Sequence, residues 1–215
     1  MGSKAVICAM QKELDILSAA LYSSGDVRSA LSGIGKVNAA LATAALIRES
    51  RPDAVISIGC AGSFAEGVGV GDIIIASETA YHDVWCGPGN EPGQVQGLPA
   101  SFGADPMLLA CASSLSDSAK VHCGLICTGD RFIETIEEDR KILELFPEAL
   151  ACDMESAAIA QVCYLKHVPF MCFRIVSDCV ADGGHDVTYG DFWNNVSDRS
   201  FALVEELIKK IPHSL

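Results

Sequence analysis

Apolar residues along this chain fall into two patterns: short unbroken runs rich in branched side chains, and longer stretches with apolar positions three or four apart. The runs KAVICA (4–9), VRSAL (27–31), AVISIG (54–59), DIIIAS (72–77), AKVHCGLICT (119–128) and FMCFRIV (170–176) predict strands. Helical periodicity predicts helices over 12–22, ending near Gly25, and over the alanine-rich 36–50, stopped by Pro52. Further helices are predicted over 106–116, capped by Asp105 with Pro106 in first position, and over the acidic 134–146. The last two are the apolar 156–166, ending before Pro169, and a closing helix over 191–210. The strand at 54–59 is expected to end in a small-residue loop, CAGSFAEGVGVG. Residues 81–103, with five glycines and three prolines, predict a long irregular connection of the kind that is usually functional or mobile.

Strands that are apolar throughout need cover on both faces, as in a largely parallel sheet between helices. The fold class is therefore three-layer α/β, one domain over 1–215. A chain that is 50% apolar, with a mean hydropathy of +0.31, is excluded from the disordered class. Its net charge of −13 would repel a nucleic-acid backbone or an anionic membrane, so neither is expected as a partner. No apolar run reaches the length of a membrane span, and the first fifteen residues do not read as a secretory leader. Ten cysteines without a CxxC pair, most of them in apolar strings, indicate reduced, buried thiols and a cytoplasmic location.

In α/β sheets, ligands bind beyond the carboxyl ends of the strands. The residues just past each predicted strand are therefore informative: Met10 and Glu13, then SGIGK, GCAGS, TGDRFI, the turn before Glu155, and finally Arg174, Ser177 and Asp178. Glycine with a polar group recurs at this edge, as a site for a polar small molecule would require. Neither glycine-rich loop fits a dinucleotide or P-loop fingerprint. They read either as tight turns into helices or as backbone N–H groups gathered around a sugar or an anion. Glu13 and Glu155 read either as helix caps or, together with Asp178, as acid/base equipment from three separate elements. His82, Asp83, His122 and His185 lack metal-ligand spacing, so no metal is expected. Cys60 and Cys179 are the most plausible nucleophiles, but burial as packing residues is the favoured reading.

The segments AMQKE (9–13), SGIGKVNAA (32–40), SIGCAGS (57–63), VGDIIIASETAYHD (70–83), TGDRFI (128–133), DMESAAIAQVC (153–163) and FRIVSDCV (173–180) occur in order. Together they resemble the nucleoside phosphorylase and nucleosidase family, and within it the 5′-methylthioadenosine/S-adenosylhomocysteine nucleosidases. The resemblance spans essentially the whole chain and implies one α/β domain with a central mixed sheet, active as a homodimer without a cofactor. It implies hydrolysis of the N-glycosidic bond of an adenine nucleoside carrying a 5′-thio group, giving adenine and the thioribose. Futalosine-type hydrolysis and purine phosphorolysis are the neighbouring activities.

By the same resemblance, Glu13 would position and activate the water, and Asp178 would support protonation of adenine N7. Glu155 would bind the ribose hydroxyls, Met154 would pack on the sugar, and Phe132 would stack on the base. Backbone at Ile133 and Val180 would read the base edge, Arg174 would hydrogen-bond the site carboxylates, and Tyr189 would close over the ligand. Ile34 and the 81–103 loop would reach the neighbouring subunit's pocket. Asp153 and Cys60 also fall among the substrate-binding positions. They depart from the family pattern, which has glutamate and serine there. The segment between the first helix and SGIGK is shorter than usual by a hairpin.

Overall fold

A computed structural model describes residues 3–23, 27–113 and 121–179, together with Phe192, Glu206, Ile208 and Lys210. Its elements are β1 (Lys4–Cys8), α1 (Gln11–Ser23), β2 (Val27–Leu31), α2 (Lys36–Ser50), β3 (Ala54–Ser63), β4 (Ile73–Tyr81) and β5 (Ser101–Gly103). They continue with α3 (Pro106–Ser113), β6 (Val121–Thr128), α4 (Ile136–Leu145), β7 (Ala149–Asp153), α5 (Ser156–Lys166) and β8 (Phe170–Cys179). The closing helix falls mostly outside the described residues; the four described positions there are helical.

One mixed sheet holds all eight strands. The pairings β1–β2, β1–β3, β3–β8, β4–β6 and β6–β7 are parallel, whereas β3–β7, β4–β5 and β4–β8 are antiparallel. Within it β3, β8, β4, β6 and β7 pair in a closed circuit. Closure removes exposed edges from that part of the sheet and brings the ends of its strands together.

Helices cover both faces, as the unbroken apolar runs require. Along β1, Ala5 and Ile7 face one core with Ala39 and Leu46 of α2 and Ala157 and Ile159 of α5. Val6 and Cys8 face the other, with Leu17 of α1, Leu108 of α3, Phe192 and Ile208. Asp105 caps α3 as expected, accepting the N–H groups of Met107 and Leu108 at 2.9 and 3.1 Å. Helix α4 begins later than expected because Thr135 and Glu138 form a reciprocal capping box.

Three expectations change. The expected loop after residue 59 is strand as far as Ser63, because small residues lie flat along β8 and reach β7. Strand β8 continues through Asp178 to Cys179. The 81–103 segment is less loose than its composition suggests: Tyr81 ends β4, residues 101–103 form β5, and Val84, Val95 and Leu98 pack on the main core. Trp85 alone of its larger apolar residues stays exposed. Between α1 and SGIGK, the short segment supplies one strand, β2, paired in parallel with β1.

Candidate active site

The ends of β1, β3, β7 and β8, with the loops after β2 and β6, enclose a cavity of about 270 Å3. Ala9, Met10 and Glu13 line it, as do Cys60, Ala61 and Gly62 of β3. Arg131, Phe132 and Ile133 of the loop after β6 line it too, with Cys152 to Glu155, Ser177, Asp178 and Ile34.

Glu13 is the third residue of α1, and its Oε2 accepts the N–H groups of Ala9 and Met10 at 3.0 and 2.9 Å. Its Oε1 accepts the N–H of Cys60 from β3 at 3.1 Å. Glu13 thus takes N–H groups at the start of α1 as a cap does, and the same carboxylate lines the cavity. Burial raises its pKa, and the three N–H groups and the Arg174 charge only partly offset this. A buried carboxylate that is more basic than usual suits a general base. Gly59 makes room for it: a Cβ there would lie 2.9 Å from Oε1.

Asp178 reaches the cavity through a β-bulge. Ala61 pairs with Val176, but Gly62 pairs with Asp178, leaving Ser177 as the extra residue. Val176 and Cys179, three positions apart, consequently share one core. Without the bulge Asp178 would share the face of Val176. The Ser177 hydroxyl donates to Asp178 Oδ1.

Asp153 is a buried hub. It accepts hydrogen bonds from the Thr128 hydroxyl at 2.6 Å and from Arg174 Nε at 2.8 Å, and also from the Ser156 hydroxyl. It takes the backbone N–H groups of Ser156 and Glu155 as well, and so caps α5. Glu155 occupies the cap position of α5, yet its side chain does not cap that helix; Oε1 accepts the Gly35 N–H at 2.8 Å. Burial, with the Asp153 charge second, pushes Glu155 up to about 7.

Arg174 does not line the cavity. Buried outside the lining, it is bound to Asp153, to the Phe173 carbonyl at 2.9 Å and to Ser57 Oγ at 3.0 Å. It hydrogen-bonds the Asp153 carboxylate, as the resemblance implies, from outside the cavity lining, so it is not placed among the substrate contacts. Ile34, expected to serve a neighbour, lines the cavity of its own chain. One glycine-rich loop gives the Cys60 N–H to Glu13 and the other gives the Gly35 N–H to Glu155 and the Lys36 N–H to Asp130, so these N–H groups serve the protein's own carboxylates. Met154, Phe132, Ile133 and Cys60 line the cavity as anticipated. Val180, Tyr189 and His185 lie outside the described residues.

Neither candidate thiol has the setting of a nucleophile. Burial, then the Glu13 charge, raises Cys60 far above an ordinary thiol, and Cys179 donates to the Val68 carbonyl. Among the described residues no cluster of three metal-ligating side chains occurs. Sequence reasoning misses Ala9, Ala61, Gly62 and Cys152 as lining residues. All of these lie within or beside the motif segments, and the continuation of β3 places Gly62 opposite Cys152.

Residues 4–209 match the family model of the phosphorylase superfamily. The chain is 42% identical, over 84% of its length and 80% of the other's, to a 5′-methylthioadenosine/S-adenosylhomocysteine nucleosidase of Staphylococcus saprophyticus. It is 39% identical to a nucleosidase of the same description from Haemophilus influenzae, over 95% and 92% of the two chains. Among solved structures it resembles the Neisseria meningitidis nucleosidase in complex with methylthio-immucillin-A, with a TM-score of 0.91, 38% identity, and coverage of 98% and 100%. A putative Borrelia burgdorferi nucleosidase bound to adenine gives a TM-score of 0.90 at 33% identity, covering 97% and 100%. The order of its strands, the carboxylates around its cavity and these similarities agree: the chain belongs to the phosphorylase superfamily and, within it, to the 5′-methylthioadenosine/S-adenosylhomocysteine nucleosidases.

Proposed function

We propose that this protein hydrolyses the N-glycosidic bond of 5′-methylthioadenosine, of S-adenosylhomocysteine, or of both, releasing adenine and the thioribose. The observation that carries this reading is that Glu13, Asp178 and Glu155, from three separate elements, line one cavity with Phe132 and Met154. As the bond between C1′ and the base breaks, its electron pair moves into the purine and positive charge grows on the sugar. Asp178 delivers a proton to N7, so adenine leaves neutral. Glu13 takes a proton from the water whose oxygen bonds to C1′. Each such proton transfer contributes roughly 10²–10⁴-fold. Glu155, as a carboxylate, accepts the ribose hydroxyls; Phe132 supplies a face for the base, and Ile133 and Val180 its edge contacts.

Water is favoured over phosphate as the attacking group because a phosphorylase must hold an anion with cations. Among the described residues that line the cavity the basic one is Arg131, which pairs with Glu138, whereas Arg174 is committed to Asp153 and Ser57. The test is adenine release from 5′-methylthioadenosine in phosphate-free buffer. Turnover that begins only when phosphate is added would overturn the hydrolytic reading.

The working form in this reading is a homodimer in the cytoplasm, where its ten free thiols stay reduced. Helix α2 turns Val37 and Leu41 outward, 69% and 67% exposed, beside the exposed Ile34, while its Ala39, Thr43 and Leu46 face the core. A helix apolar on both faces calls for a second partner. With Trp85 this surface suits a two-fold contact of about 800 Å2 per chain.

A further inference from the structure

The turn that carries Ile34 and Gly35 is held by more than Glu155. Two successive N–H groups at the start of α2 are taken by two carboxylates from different parts of the chain. Gly35 N–H goes to Glu155 Oε1 at 2.8 Å, and Lys36 N–H goes to Asp130 Oδ1 at 2.7 Å. Asp130 belongs to the loop after β6, which also carries Arg131, Phe132 and Ile133 into the cavity wall. Gly35 permits the approach: its φ is 93°, and a Cβ there would lie 3.0 Å from Asp130 Oδ1.

A third carboxylate fixes the pair. Asp83, two residues beyond β4, accepts the Asp130 N–H at 2.9 Å and both of its oxygens lie 2.7 Å from Lys36 Nζ. The same ammonium lies 3.9 Å from Asp130 Oδ2 and 5.3 Å from the centre of the Tyr81 ring. Burial works against the Asp83 charge, but Lys36 and the Asp130 N–H hold its pKa below the usual range.

A half-exposed ion pair is ordinarily worth little. Here the bond ends on the N–H next to the one serving Glu155, so its effect is on position more than on stability. We propose that Asp130 is a positioning residue: by holding the Lys36 N–H, with Lys36 anchored to Asp83, it delivers the Gly35 N–H to Glu155 and joins the Ile34 and Phe132 walls of the cavity. This rests on the reading in which Glu155 binds the ribose as a carboxylate. The groups facing Glu155 are Asp153, which disfavours its charge, Glu13, which does the same, Arg174, which favours it, and the Gly35 N–H, which also favours it. Of these, only the last depends on Asp130. Losing it leaves Glu155 more readily protonated.

The experiment compares Asp130→Ala with Asp130→Asn, whose amide oxygen still accepts the Lys36 N–H. In the alanine variant, KM for 5′-methylthioadenosine is expected to rise about tenfold with kcat within about threefold, while the asparagine variant stays within about threefold of wild type on both. Independently of turnover, 13C NMR of the Glu155 carboxyl, assigned with Glu155→Gln, is expected to titrate at higher pH in Asp130→Ala and at the wild-type position in Asp130→Asn. An unchanged titration in Asp130→Ala, or equal shifts in both variants, overturns the proposal. A wild-type protein inert toward 5′-methylthioadenosine would count against the assigned reaction instead, and the carboxyl titration would still decide the role of Asp130.

Discussion

Arg174 and Asp153 form an ion pair sealed from solvent: Nε lies 2.8 Å from Oδ2, and the two side chains are 2% and 1% exposed. Removing one partner of such a pair strands a buried charge. Asp153→Ala is expected to cost about 3–5 kcal/mol of stability, and it also uncaps α5 and frees the Thr128 hydroxyl. Denaturant unfolding measures this. A loss under about 1 kcal/mol would mean that water or a neighbouring group takes over the role of the carboxylate.

The raised pKa of Glu155 makes stability depend on pH. An unfolded glutamate titrates near ~4.3, whereas the folded one titrates at about 7. Between those values the folded chain binds the extra proton, so this contribution is complete below the unfolded pKa and is lost as pH rises through the folded one. Glu155→Gln cannot ionise, so relative to wild type it should gain on the order of 2 kcal/mol between about pH 5 and about pH 8. Urea denaturation at the two pH values tests it, and parallel behaviour of the two proteins would refute titration of Glu155 in that window.

Gly59→Ala places a methyl group against a carboxylate that three N–H groups hold in place. Glu13 must shift, and misplacing a catalytic group by about 1 Å costs on the order of 10²-fold. The expected outcome is a fall in kcat of about 10–100-fold in a protein whose melting temperature changes little. Retention of wild-type kcat would show that the Glu13 carboxylate tolerates displacement.

Asp178→Asn keeps the shape of the side chain and its place in the bulge but has no acidic proton to give N7. A fall in kcat of about 10²-fold or more is expected, with nucleoside binding largely preserved. Steady-state rates and calorimetric titration with a product, adenine, separate the two effects. A near-wild-type kcat would remove Asp178 from the proton path.

Much of the architecture is legible in the sequence because local physics writes it into the chain. Unbroken apolar runs such as AVISIG and FMCFRIV need cover on both faces, and the structure covers them. Asp105–Pro106 specifies a helix start by hydrogen bonding and a fixed φ, both local. Glu13, Glu155 and Asp178 can be picked out from the sequence as carboxylates near the ends of apolar runs, although the strand before Glu155, β7, is not among the predicted strands. The Thr135–Glu138 box is equally local, yet the acidic periodicity of 134–146 masks it.

The chain alone determines which residues form elements and which carboxylates stand near the site edge. Tertiary structure decides which way those carboxylates face and what holds them. The bulge at Ser177 depends on the register between β3 and β8 and turns Asp178 away from the face of Val176. Glu13 meets Cys60 across 47 residues, and Glu155 meets Gly35 across 120. Arg174 is held outside the cavity lining by Asp153, a partner that β7 brings in from elsewhere in the chain. Hydrophobic period and cap chemistry act over a few residues and can be read in order. Register, ring closure and long-range hydrogen bonds exist only once distant segments are paired.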